Sequence, residues 1–150
     1  MTTMTWLHRL FAGLCIATTL AACQAAGPTP LTLDARLEGP ELVVNWGTSL
    51  PAGAELALSV WRAEDPEDDA FRIDRPLVLG ADEQRVPIDV AGWPAGEVQA
   101  VLTFQPLAQS DPDVIAAVGT QGEKLSGPQL RTDPVDDERY LEASVSISIP

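Results

Sequence analysis

Tyr140-Leu141-Glu142-Ala143-Ser144-Val145-Ser146-Ile147-Ser148-Ile149 places an apolar side chain at every second position and Glu142, Ser144, Ser146 and Ser148 between them. Successive side chains of a β-strand point to opposite faces, so a period of two gives one buried and one wet face. On a helix the same five apolar residues would be scattered around the circumference. The stretch is a half-buried strand, and a strand needs partners.

Outward from it, the same alternation recurs. Val98, Ala100, Leu102 and Phe104 share one face; so do Leu56, Leu58 and Val60 within Glu55–Arg62, and Leu42, Val44 and Trp46 within Glu41–Trp46. Trp46 is thereby assigned to the core. Leu31 to Leu37 alternates as well, and Gly39-Pro40 supplies the turn of a hairpin with the following strand. Leu50-Pro51-Ala52-Gly53, Gly80-Ala81-Asp82-Glu83 and Gly92-Trp93-Pro94-Ala95-Gly96 are further turns. Phe71–Leu79 and Gln84–Val90 make two more strands, but each holds a proline, Pro76 and Pro87. Proline donates nothing to a ladder, which predicts short or edge strands.

One helix breaks the pattern. Ser110-Asp111-Pro112-Asp113 offers a cap, a first-turn proline and acidic residues at the positive end of a helix dipole, and Gly119 closes Val114–Val118. Seven or eight short strands with one short helix predict an all-β, antiparallel sandwich of immunoglobulin or fibronectin-III type, with a small barrel as the alternative. The glycine-rich Gly119–Pro128 is irregular or hairpin-like. It is no phosphate loop, because Gly122-Glu123-Lys124-Leu125 lacks the Gly-Lys-Ser/Thr ending and a following helix.

The N-terminal segment follows other rules. Arg9 precedes thirteen uncharged residues, Leu10 to Ala22, the order of a secretory signal and shorter than the about twenty residues a membrane-crossing helix requires. Leu20-Ala21-Ala22-Cys23 resembles the lipobox of bacterial lipoproteins. The resemblance implies diacylglyceryl attachment to the Cys23 sulfur, cleavage before it, and an exported protein anchored at the cell envelope on its inner or outer membrane. The organisation expected is a signal peptide over 1–22, lipidated Cys23 and a linker to Pro30, and a β-sandwich domain over 31–150. Two acyl chains convert marginal membrane binding into stable anchoring.

Loss of residues 1–22 removes Arg9, His8 and Cys15 and leaves eight basic against twenty-two acidic residues, a net charge of −14. Such a chain lacks the cations that neutralise nucleic-acid phosphates or dock on anionic lipid, so no nucleic acid is expected and the membrane is reached through the lipid on Cys23 alone. Without histidine or a second cysteine, the usual zinc sites, Ser-His-Asp triads and Cys-His pairs cannot form. No cofactor is expected.

Two groups of residues are candidates for chemistry. Glu64, Asp65, Glu67, Asp68 and Asp69 form an acidic run around Pro66, read first as a solvated loop and second as a divalent-cation site; its spacing is not that of an EF-hand. Trp61, outward on its strand, and Trp93, in a turn, are candidate partner contacts, set against covering the edges of the core. Leu50-Pro51-Ala52-Gly53-Ala54-Glu55-Leu56, Trp93-Pro94-Ala95-Gly96, Asp113–Gly119 and Gly122–Pro128 together resemble small immunoglobulin-like domains of bacterial exported proteins, which implies the sandwich but no activity. The function expected is a non-catalytic binding or structural accessory module with a protein or envelope polymer as partner. The alternatives are a carboxylate-based hydrolase acting on envelope glycans and a divalent-cation binding protein.

Overall fold

The computed structural model describes residues 27–66, 68–81 and 84–150. Two antiparallel sheets face one another across a single apolar layer. The strands are β1 (Leu31–Glu38), β2 (Glu41–Thr48), β3 (Glu55–Arg62), β4 (Arg72–Val78), β5 (Arg85–Asp89), β6 (Gly96–Phe104), β7 (Leu130–Thr132) and β8 (Arg139–Ile149), with helix α1 (Pro112–Val118) between β6 and β7. One sheet has the order β1-β2-β5 and the other β4-β3-β6-β8-β7. Apart from the added β7, this is the strand order on which fibronectin type III sandwiches are built. The expected sandwich is the fold; the sheets do not merge into a barrel, although β1 and β8 run side by side at one seam.

The alternation that identified the strands also builds the core. Val98, Ala100, Leu102 and Phe104 are fully buried at the centre of the larger sheet, and Leu56, Leu58 and Val60 flank them from β3. Leu42, Val44 and Trp46 face them from β2. Along β8, Leu141 and Ile149 are buried but Val145 and Ile147 only half so, because β8 lies beside the seam and leaves part of its inner face uncovered. Pro76 and Pro87 stand in β4 and β5, the outermost strands of their sheets, where the missing N–H interrupts no ladder. Gly39 takes the positive φ of 64° that the first loop position of a two-residue hairpin demands.

Asp111 caps α1, its carboxylate accepting the N–H groups of Asp113 and Val114, and Val114 and Val118 turn inward. The stretch after the helix is held by its own backbone. Leu125 N–H donates to the Gly122 carbonyl, Arg139 N–H to the Gln121 carbonyl, and the Arg139 guanidinium to the carbonyls of Glu123 and Leu125.

The two ends of the sandwich differ. At one, here the near end, β1 begins and β2 finishes, and the chain ahead of β1 is already docked. Thr29 N–H donates to the Ser126 carbonyl at 2.8 Å, and the Thr48 hydroxyl to the Pro30 carbonyl at 2.8 Å. The expected signal over 1–22, Cys23 and Gln24 to Ala26 lie outside the described residues. The far end carries the β1–β2 turn, the acidic run between β3 and β4, the turn holding Trp93, and the end of β8.

Candidate functional site

Strand ends, rather than strand faces, assemble the candidate site. Leu37 at the end of β1, Pro40 in the hairpin, Val90 after β5, Trp93 in the next turn, and Ile149 with Pro150 after β8 line an open cavity of about 260 Å³ at the far end. Val90 N–H donates to the Pro40 carbonyl at 3.0 Å, which ties two of its walls together. Trp93 is half-buried against the core. It meets Phe71 edge-on, with ring centroids 6.2 Å apart and planes at 69°, the T-shaped geometry that aromatic quadrupoles favour.

Behind Phe71 stands Arg62, the connection between this cavity and the acidic run. Its side chain is 12% exposed, and its guanidinium carbon lies 5.6 Å from the centre of the Phe71 ring. The guanidinium also pairs with Asp65 at 2.9 Å and Glu64 at 3.6 Å, and donates to the Ala95 carbonyl. Glu64 accepts the N–H of Glu97 at the start of β6. That bond and the N–H of Glu64 itself, with Arg62 beside them, hold the Glu64 carboxyl below the usual glutamate range. Gly96 makes room for this contact: a Cβ there would stand 2.7 Å from the Glu64 carboxylate. Asp68 caps the short 3-10 turn Asp69–Phe71 by accepting the Ala70 N–H.

Within the acidic run, Glu64 and Asp65 are fastened to the sandwich. Glu64, Asp65 and Asp68 each serve a backbone N–H or a guanidinium, Asp69 opens the 3-10 turn, and Glu67 lies outside the described residues. Among the described residues no three acidic, histidine or cysteine side chains converge as a metal cage would require.

Trp61 sits elsewhere, on the outer face of the larger sheet. There it is half-buried between its cross-strand partners Arg72 and Gln99, with the Arg72 guanidinium carbon 5.7 Å from the ring centre. Arg72 is itself anchored by Asp74, whose carboxyl is held below the usual aspartate range by Arg72 first and then by the Ser59 hydroxyl. The two tryptophans therefore belong to two surfaces. The residues that complete the cavity around Trp93, namely Leu37, Pro40, Val90 and Ile149, were missed as a site in the sequence. The one available signal was that the Gly39-Pro40 and Trp93-Pro94 turns both fall after strands running toward the same end.

A second set of carboxylates lies outside the cavity lining. On the outer face of the smaller sheet, Glu38, Glu41 and Asp89 stand in register across β1, β2 and β5. Glu38 is held below the usual glutamate range by the Arg36 guanidinium and by Arg85 reaching across from β5. The Arg85–Glu38 pair spans β2 over Val43, which is fully buried although it points away from the core. Asp89 accepts the Ala91 N–H, and no described residue pairs with Glu41. Comparison with protein-family models, with curated proteins and with solved structures finds no match to this chain.

Proposed function

We propose that the chain is a lipid-anchored accessory module of a bacterial cell envelope that binds a partner without catalysing a reaction, held to the membrane through Cys23. The observation that carries this reading is the polarity of the sandwich. The chain enters at the near end, pinned by Thr29 and Pro30, while the Trp93 cavity opens at the far end. Three residues lie between Cys23 and Gly27, a reach of at most about 14 Å over four Cα–Cα steps. The strands then carry the cavity about 27 Å farther from the attachment point. An anchor at Cys23 presents the cavity outward.

The disposition of the carboxylates supports a non-catalytic role. Glu64, Asp68 and Asp111 accept backbone N–H groups, and buried Glu138 accepts the N–H of Leu107 at 2.8 Å. Each holds up structure. The test is replacement of Cys23 by Ser in cells grown with labelled fatty acid. The expected result is loss of label and transfer of the protein from the membrane pellet to the soluble fraction, whereas a variant that remains with the membranes overturns the anchor.

A further inference from the structure

The outer face of the larger sheet differs from the rest of this acidic surface. Over Ala57–Trp61 of β3, Gln99–Thr103 of β6 and Ser144–Ser148 of β8, every outward side chain is uncharged, in a chain whose net charge is −13. At the β4 margin Arg72 and Asp74 neutralise each other. Trp61, Gln99 and Ser146 form one row across the three strands. The Ser146 hydroxyl donates to Gln99 Oε1 at 2.6 Å, so the amide oxygen is taken and its N–H groups are free. Neither these nor the Trp61 indole N–H has a partner among the described residues. Along β3, Ser59 stands between Asp74 and Val101, and Ala57 between Pro76 and Thr103, small side chains flanked by bulkier ones. The trough they floor runs about 13 Å from Trp61 at the rise of a strand. It ends in an open cleft of about 180 Å³ lined by Ala57, Pro76, Thr103 and Gln105, with Glu55 at its rim engaged by the Ser110 hydroxyl.

We infer that this face binds an uncharged glycan. One sugar ring lies against Trp61, its hydroxyls accept from the indole and Gln99 N–H groups, and the glycan continues along the trough toward the cleft. The half-exposed indole, held in place by the Arg72 guanidinium over its ring, offers the apolar contact that the C–H face of a sugar needs. The free donors fix its orientation. Charge and composition exclude the other occupants. Anionic polymers are repelled by the net charge of the chain, and a cation finds Asp74 already held by Arg72 and Ser59. A second copy of this chain would need a mostly apolar interface core, whereas on these three strands Trp61 and Val101 are the large apolar side chains amid serine, threonine and glutamine.

The inference goes beyond the accessory-module reading, because it places binding on the sheet and not in the Trp93 cavity, and its test needs no membrane. Amide shifts of the isotope-labelled full-length chain in a zwitterionic, sugar-free detergent are followed on titration with cellohexaose, chitohexaose and maltohexaose, and with an anionic oligogalacturonate of the same length. The expected result is shifts confined to β3, β6 and β8 around Trp61, Gln99 and Ser146 with at least one of the neutral glycans. High salt leaves this binding unchanged, because no charge takes part. Trp61→Ala is expected to weaken binding about tenfold, and Gln99→Ala about threefold. Both are changes on the outer face, and unaltered amide positions elsewhere show that the fold is intact. Absence of shifts with all three neutral glycans at millimolar concentration, equal binding of oligogalacturonate, or undiminished binding by either variant overturns the inference. Shifts at Leu37, Val90 and Ile149 in place of the sheet overturn it too, while leaving the cavity of a binding module standing. None of these results bears on Cys23, so the anchored-module reading stands or falls on its own experiment.

Discussion

Replacement of Gly122 by Ala tests how the long connection between β6 and β8 is held. Gly122 is buried, has φ of 76°, and a Cβ built on it would collide with the carbonyl oxygen of Arg139, a backbone atom of β8. The left-handed conformation costs an alanine about 1 kcal/mol. Relief of the collision requires the loop to leave β8, which removes the Arg139 N–H to Gln121 hydrogen bond and the two guanidinium bonds to Glu123 and Leu125. At about 0.5 to 1.5 kcal/mol each, loss of two or three of these brings the total to about 3 to 4 kcal/mol. The assay is urea unfolding, where the midpoint falls and the slope stays constant. Gly92→Ala is the control: its Cβ meets nothing within 4 Å and its φ is not positive, so stability changes by no more than about 0.5 kcal/mol. Ser126, which receives the Thr29 N–H, belongs to the same connection. Hydrogen exchange at Thr29 is therefore expected to quicken in Gly122→Ala and not in Gly92→Ala. A cost below about 1 kcal/mol for Gly122→Ala, or the same cost for both variants, refutes the reasoning.

Arg62→Met keeps the apolar stem but removes the Asp65 pair and the stacking on Phe71, with an expected loss of about 1 kcal/mol in low salt that shrinks as salt is added; a salt-independent loss would assign the effect to packing alone. Asp74→Asn is read by its pH dependence. The Asp74 carboxyl is depressed from an ordinary value of 3.8, so its contribution is complete above that pH and disappears as pH falls through the lower folded value. The stability gap between wild type and Asp74→Asn is expected to be constant from neutral pH down to about 5 and to close in stronger acid, and a gap that persists there removes the Arg72–Asp74 pair as its cause.

The strands were legible because each carries its own signal. Glu55–Arg62 and Tyr140–Ile149 alternate over a full strand length, and Pro76 and Pro87 announced edges because their consequence is local: a missing N–H. Asp111, Pro112 and Gly119 likewise marked α1 from within a few residues. β7 escaped because Leu130–Thr132 is too short to show any period, and it exists only through its pairing with Thr132↔Arg139 and Leu130↔Leu141. The cavity escaped for a similar reason. Leu37, Val90, Trp93 and Ile149 meet only when two turns and the end of β8 reach one end of the sandwich, and no window of sequence contains them together. The acidic run was visible as charge, but its attachment depends on Arg62 and on the N–H of Glu97, a partner 33 residues away from Glu64.

The docked entry of the chain also decides how the domain bears a load. A pull between Gly27 and a partner held at the far end runs along the strands, with β1 dragged lengthwise past β2. Ladder hydrogen bonds lie across the strands, so the eight register pairs from Leu31↔Thr48 to Glu38↔Glu41 resist together in shear. The same pull applied at the near end would peel them apart one after another. A load applied between Gly27 and the far end would therefore meet the sandwich along its strongest axis.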